Sequence, residues 1–392
     1  MHTSRHGISL LFNANKVYDR QVIEGIGRYL QSSKVAWDVY LEEDFLARIE
    51  RIENWVGDGI IADFDDPSIQ RALQHSKLPI VGVGGSYQDQ ADYPDVPYVA
   101  TDNLAVIRAA YEHLKQKGLE RFAFYGLPQD DYHRWAIERE KAIVQLCDED
   151  GYECFVYRGH HTRPETWQGA MNSLSEWLQS LPSPVGIISV TDARARHLLQ
   201  ACDQIGKLVP EQISIVGIDD DDIARNLSRI SLSSVTQGAL EMGYQAAKLL
   251  HRRLDNPNLK NKIVTVSPVG VIGRQSTDYK ALGDPFVAQA IHFISQNACS
   301  GIKVQQVLDY VGISRSNLEN RFMEECRHSI HHAIHERKLK EACQLLAQGD
   351  KPLPKIATLS GYPSLPYMYA VFRKHYNLTP KQYQQQNRSN VL

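Results

Sequence analysis

The residues best placed to do chemistry stand at the ends of short apolar runs. Asp219 follows Ile213-Ser214-Ile215-Val216-Gly217-Ile218, Thr191 and Asp192 follow Gly186-Ile187-Ile188-Ser189-Val190, and Tyr18 and Asp19 come soon after Ile8-Ser9-Leu10-Leu11-Phe12. A carboxylate or a guanidinium can hold two hydroxyls at once by charge-assisted hydrogen bonds, so such positions suit a polyhydroxylated ligand. Arg134, Trp135 and Arg139 open a helical stretch. They offer two guanidiniums and an indole that either stacks on the apolar face of a sugar or packs in the core. Asp102 and Asp192 have an ordinary competing use, as caps of the helices that follow them. Asp63, Asp65 and Asp66 cluster after another run, but without further ligands at metal spacing they read as loop and cap chemistry.

These residues need a scaffold, and residues 7 to about 255 supply one. Apolar runs at Ile8–Phe12, Gly59–Ile61, Ile80–Val83, Arg121–Tyr125, Cys154–Tyr157, Gly186–Val190 and Ile213–Ile218 alternate with helical stretches such as Asp19–Leu30, Asn103–Lys117 and Arg134–Cys147. Repeated strand-helix units give parallel sheets with helices on both faces, and so many strands make two lobes. A ligand then lies outside the carboxyl ends of the strands, in a cleft between the lobes.

The last hundred residues carry one apolar design twice. Val304, Val307, Leu308 and Val311 lead to Gly312-Ile313-Ser314 and then Leu318 and Phe322; Leu353, Ile356 and Leu359 lead to Gly361-Tyr362 and then Met368 and Phe372. Each copy reads as a helix-turn-helix, in an all-α domain that exposes two recognition helices to DNA. The outward candidates are Arg315, Ser316, Asn317, Asn320 and Arg321 in the first copy. In the second they are Ser364, Leu365, Tyr367 and Met368, with Arg373 and Lys374 reaching phosphates. Solvation of a helix face is the competing reading for Asn320 and Arg321. It is the preferred one for His331, His332 and His335, so no metal is expected there. Residues 285–392 hold 13 Lys and Arg against 7 Asp and Glu, a net of +6, which leaves −9 on the preceding 284 residues. One domain, not the whole chain, is therefore suited to phosphate contact.

These motifs resemble known families. Gly312-Ile313-Ser314 with Leu318 and Phe322, Arg337-Lys338-Leu339, and Gly361-Tyr362 leading to Phe372-Arg373-Lys374 and Thr379-Pro380-Lys381-Gln382-Tyr383 resemble the arabinose-regulator (AraC/XylS) type of DNA-binding domain. Arg327 and Asn377 stand where that family usually ends each recognition helix with glycine. Thr101-Asp102-Asn103, Arg121–Gly126, Val190–Ala193 and Ile215–Asp220 resemble periplasmic sugar-binding proteins and the effector domains of lactose-repressor-type regulators. That resemblance implies that Asp219 holds sugar hydroxyls and that Arg139 is the cleft arginine; Thr191 replaces a more usual asparagine. The order of the two parts, with Asn13-Ala14-Asn15-Lys16 and Gly243-Tyr244-Gln245-Ala246-Ala247, resembles the bacterial xylose-operon regulators along nearly the whole chain. It implies a transcriptional activator that takes D-xylose or a related pentose and binds tandem half-sites on double-stranded DNA as a homodimer, with RNA polymerase as its further partner. A ligand-released repressor, or a cytosolic sugar-binding protein with a C-terminal interaction module, is the alternative.

The rest of the sequence narrows the class. There is no Gly-x-Ser-x-Gly elbow, no Walker loop, and Gly82-Val83-Gly84-Gly85 is too short for a dinucleotide fingerprint, so neither enzyme activity nor a cofactor is expected. Six cysteines without a Cys-x-x-Cys pair, and no apolar stretch of about 18 residues, point to a reduced cytoplasmic protein that spans no membrane. The expected domains are 1–266 (two-lobed effector), 267–284 (linker, rich in Gly and Pro) and 285–392 (DNA binding).

Overall fold

In the computed structural model, which describes residues 5–41, 44–50, 52–87, 89–129, 133–161, 163–278, 284–348 and 351–388, the apolar runs become inner strands of two sheets, except Cys154–Tyr157, which forms an edge strand. The strands are β1 (His6–Leu11), β2 (Trp37–Tyr40), β3 (Gly59–Asp63), β4 (Ile80–Gly85), β5 (Tyr98–Thr101), β6 (Arg121–Tyr125), β7 (Glu153–Tyr157), β8 (Val185–Ser189), β9 (Ile213–Ile218), β10 (Ser233–Thr236), β11 (Ile263–Val266) and β12 (Gly270–Ile272). One sheet runs β11-β5-β4-β3-β1-β2 and the other β12-β10-β9-β8-β6-β7. All neighbours pair in parallel except β12, which is antiparallel to β10. Central strands β3, β4, β8 and β9 are buried throughout, because helices cover both faces.

The chain crosses between the lobes three times. After β5 it enters helix Asn103–Lys115, which packs on the second sheet; after β10 it returns in helix Ala239–Asp255, which packs on the first; and β11 leads directly to β12. Backbone hydrogen bonds join the crossings, from Asp102 N to Val266 O at 3.1 Å and from Val269 N to Thr236 O at 2.9 Å. All three therefore lie together at the base of the cleft.

Helices Val17–Ser33 and Ala239–Asp255 pack on one face of the first sheet, and glycine sets their separation. A Cβ at Gly25 would lie 1.9 Å from Leu240 O, and one at Gly243 would lie 1.9 Å from Val22 O. No side chain fits at either point without parting the helices. This contact fixes the helix whose first turn carries Tyr18 and Asp19.

The sequence underestimates the sheets. Strands β2, β5, β10, β11 and β12 were not expected, since each is three or four residues long and β10 (Ser-Ser-Val-Thr) carries one large apolar side chain. The expected linker is also too long. Residues 267–278 fold with the effector unit, where Val271 pairs with Val235, and Arg274 Nη2 bonds Asp220 Oδ1 at 2.6 Å. Residues 279–283 of that linker lie outside the described residues.

The C-terminal unit is helical: Pro285–Asn297, Val304–Val311, Arg315–Cys326, Ile330–Gln348, Leu353–Leu359, Leu365–Tyr376 and Pro380–Arg388. It has two cores. Val307, Leu308, Leu318 and Phe322 gather in one with Ile330 and Ile334; Ile356, Met368 and Phe372 gather in the other with Leu339, Ala342 and Leu346. Helix Ile330–Gln348 thus serves both. Each recognition helix ends in a left-handed residue, Asn377 at φ 56° and Arg327 at φ 61°, so arginine adopts here the turn that glycine usually provides.

Gly243→Ala is expected to destabilise the effector unit by about 1–3 kcal/mol, the usual cost of forcing extra volume into a packed contact. Urea unfolding would check it; an unchanged midpoint would show that the helices part without cost.

Candidate functional site

The carboxyl ends of the strands enclose a cavity of about 530 Å³ between the lobes of the effector unit. Tyr18, Asp19, Trp135, Arg139, Thr191 and Asp219 line it, as the sequence suggested. Arg139, buried from helix Arg134–Asp150, organises its floor. Its Nε donates to Asn103 Oδ1 at 3.0 Å, Nη1 to Val190 O at 2.7 Å and Nη2 to Gln237 Oε1 at 2.6 Å. Gln237 passes the contact on by donating to Asp219 Oδ1. The Trp135 ring lies under the same guanidinium, 4.8 Å from centroid to Cζ, so the indole faces the cavity and is not a core residue.

Asp219 sits on strained backbone, at φ 115°, with Asp220 next to it at φ 54°. Both are held there: Asp219 N donates to Val235 O at 3.0 Å, and Asp220 N to Ser234 Oγ at 2.9 Å. Burial pushes the Asp219 carboxyl up to about 7 against the opposing pull of Arg139. Across the cavity, Asp19 Oδ2 accepts from Asn13 N at 2.6 Å, while Oδ1 is buried with no hydrogen-bond partner among the described residues. Burial and the charge of Asp63 raise Asp19, opposed by Lys16. Lys16 Nζ in turn donates to Asp63 Oδ2 at 3.0 Å, and the Tyr18 hydroxyl lies 3.1 Å from Thr101 Oγ1. The result is a polar chamber with an aromatic wall, in which Asp19 Oδ1 is a buried oxygen without a partner among the described residues.

Two expected ligand residues are committed elsewhere. The Asp192 carboxylate turns away from the cavity, accepting from Ser234 Oγ and Asp221 N, both at 2.7 Å. It does not cap its helix either; Thr191 Oγ1 does, accepting from Arg194 N at 3.3 Å. A Cβ at position 217 would lie 2.0 Å from Asp192 Oδ1, so Gly217 makes room for this brace. Asp102 caps its helix, by accepting from Ala105 N at 2.9 Å. Arg134 is not a lining residue but a tie between lobes, bonding Asp65 Oδ1 at 3.0 Å and Gly85 O at 3.1 Å, with its Cζ 3.5 Å from the Tyr87 ring centroid. Asp66 caps helix Pro67–Leu73, from Ser68 N at 2.9 Å.

In the C-terminal unit, Arg315, Ser316, Asn317 and Asn320 are exposed on the first recognition helix, and Tyr367, Arg373 and Lys374 on the second. Arg321 is engaged internally, its Nη1 on Asp284 Oδ2 at 2.5 Å and its Cζ 5.2 Å from the Phe286 ring centroid. Met368 is fully buried, four residues before Phe372 on the same face, and Leu365 packs against that core. Both had been expected to face outward. Ser364 is a helix cap, accepting from Tyr367 N at 3.3 Å.

Three family profiles match in order: a XylR N-terminal domain over residues 7–104, a periplasmic binding protein-like domain over 111–277 and a helix-turn-helix domain over 307–386. The chain is 56% identical over all 392 residues to the xylose operon regulatory protein of Escherichia coli K12, covering 100% of both. It belongs to the family of xylose operon regulatory proteins. The member from Haemophilus influenzae is 49% identical over 376 residues, covering 96% of this chain and 97% of its own. A solved structure described as the xylose-binding transcription activator xylR superposes with a TM-score of 0.91 at 55% identity, over 99% of this chain and 100% of that one. A cellobiose complex of the regulator CelR (21% identity, TM-score 0.55, 70% and 85% covered) shares the effector fold. As a xylose operon regulator, the chain joins a sugar-type effector to a helix-turn-helix DNA-binding domain, and its function is sugar-responsive regulation of transcription.

Sequence reasoning missed Lys16, Thr101, Asn103 and Gln237 as lining residues of this regulator's cavity. Three of them stand at or beside lobe crossings, which are not visible until β5 and β10 are placed. The available signal was the Thr101-Asp102-Asn103 motif, whose first and last members face the site.

Burial and Asp63 push Asp65 up to about 6, while Arg134 opposes them. The Arg134–Asp65 pair is therefore intact above about pH 6 and weakens as Asp65 gains its proton. Amide exchange at Gly85, which donates to Asp65 Oδ2 at 2.8 Å, should lose protection as pH falls from about 7 to about 5, and at any pH in Arg134→Met. A carboxyl raised by burial favours the folded chain once protonated, so this loss reports the broken tie and not unfolding. Unchanged protection in the variant would remove Arg134 from that role.

Proposed function

We propose that the cavity takes D-xylose or a closely related pentose, and that its occupancy switches the protein toward activating transcription of pentose uptake and catabolism genes. The observation that carries this reading is the convergence of Asp219, Arg139 and the unpartnered Asp19 oxygen on one chamber walled by Trp135. Sugar hydroxyls would complete the carboxylates, and the indole would cover an apolar sugar face. The names of the full-length relatives favour xylose among pentoses.

In this mechanism the sugar binds the closed arrangement of the two lobes more tightly than the open one and shifts the population toward it. Closure changes how the C-terminal domains of a homodimer are presented to tandem half-sites, whose successive major-groove contacts lie about 34 Å apart. Arg315, Ser316, Asn317, Asn320 and Tyr367 would face base edges, and Arg373 and Lys374 phosphates. RNA polymerase is the partner that an activator bound beside a promoter would engage, and the cytoplasm is where all these partners meet. This is a binding protein's chemistry, with no reaction catalysed.

The test is binding to the DNA upstream of pentose-utilisation genes at fixed salt of about 0.15 M, with and without D-xylose, L-arabinose and D-ribose. D-xylose alone is expected to tighten specific binding, and Asp219→Asn is expected to weaken sugar affinity by about 2 kcal/mol or more. Specific binding that xylose loosens would make the protein a repressor; none under any sugar would sink the assignment. Arg315→Ala should cost about 1–3 kcal/mol and relax sequence preference, whereas Lys374→Ala should weaken all sequences alike and flatten the salt dependence.

A further inference from the structure

A strip of imidazoles runs from one recognition helix to the other. His328 packs on Phe322 of the first, with ring centroids 5.7 Å apart, and on His332 at 5.0 Å. His331 lies 4.5 Å from His335, whose ring is 6.4 Å from Tyr367 in the first turn of the second recognition helix. His331 and His332 are exposed, and His335 is half-buried. They occupy the first turns of helix Ile330–Gln348, where Ser329 Oγ accepts from His332 N at 3.2 Å. None of them belongs to either core.

We propose that His331, His332 and His335 form a third DNA-contacting surface, between the two recognition helices, that grips the phosphate backbone as imidazolium and makes DNA binding take up protons. Two recognition helices in successive major grooves leave the backbones of the intervening minor groove facing whatever lies between them. The strip spans from Phe322 on the first helix to Tyr367 on the second, and His331, His332 and Tyr367 are exposed. In the free protein, burial together with His331, Lys338, His332 and His375 holds His335 below its ordinary value. The charged groups facing the strip are thus Lys338 on the same helix and His375 on the second recognition helix, with Glu336 placed 3.9 Å from His328 Nε2. A phosphate opposite the strip would favour the charged form, so His335, held below its ordinary value in the free protein, gains a proton in the complex.

This inference rests on the DNA-binding reading and is tested separately from it. Affinity of the full-length protein for a mixed-sequence duplex, and for the pentose promoter region, would be measured by fluorescence anisotropy from about pH 8 to about pH 6 at constant salt. Binding is expected to tighten about three- to tenfold per pH unit, up to tenfold for each proton taken up. Replacing His331, His332 and His335 together by Gln should flatten the profile at the affinity of the wild type near pH 8, with helix content by circular dichroism unchanged. His335→Lys should bind tightly across the range. Because Asp65 and Asp219 also titrate there, the comparison with the Gln variant isolates the strip. A wild type insensitive to pH, or a Gln variant with the wild-type profile, would overturn the inference while leaving DNA binding in place; no binding at any pH would overturn both.

Discussion

The cleft depends on one buried cation. Arg139 reaches the first lobe crossing through Asn103, the second through Gln237 and the end of the second sheet through Val190 O. A guanidinium out of water is costly unless its donors are met and a counter-charge is near, and here Asp219 supplies that charge one hydrogen bond beyond Gln237. The backbone strain at Asp219 is tolerated for the same reason, since the carboxylate has to stand where this network can use it. Much of the binding floor is consequently fixed before a ligand arrives, which lowers the ordering cost of binding.

The two helix-turn-helix copies are built alike and dressed differently. Ser314 and Ser364 each cap a recognition helix, and Leu318 with Phe322 match Met368 with Phe372, at a constant offset of fifty residues. Between those fixed points the first helix exposes Arg315, Ser316, Asn317 and Asn320, and the second Pro366, Tyr367 and Ala370. Donors able to read base edges are concentrated in the first copy. The second is better suited to backbone contact and to the shape of the groove.

The sequence made the fold class legible because the central strands are long apolar runs and because the C-terminal pattern repeats. It also made residues that line the cavity legible, among them Asp219 after a strand and Asp19 and Arg139 in helices. What it hid follows from geometry. Edge and crossing strands such as β10 and β12 are short and stabilised by neighbours distant in the chain, so Gln237 had no visible frame. Arg134, Asp192 and Arg321 have the right chemistry for a ligand, but nearby acceptors or donors claim them, and the partners Asp65, Ser234 and Asp284 lie 37 to 69 positions away. Met368 faces inward because its four-residue spacing from Phe372, and not its place in the first turns of the helix, sets its face.

The glycine contact between helices Val17–Ser33 and Ala239–Asp255 bears on how the effector can move. With Gly25 and Gly243 seated against the opposing backbone, neither helix can slide along the other, which removes shear as a way for the first lobe to adapt. Motion of that lobe as a block against the second would be taken up in the three crossing segments. One of them carries the left-handed Gly238, where a Cβ would approach Ser267 O of another crossing to 2.8 Å. Such a hinge would be confined to a few residues directly beneath the cavity, which Thr101, Asn103 and Gln237 line, so a molecule seated there would act on the pivot itself and need no relay through the lobe.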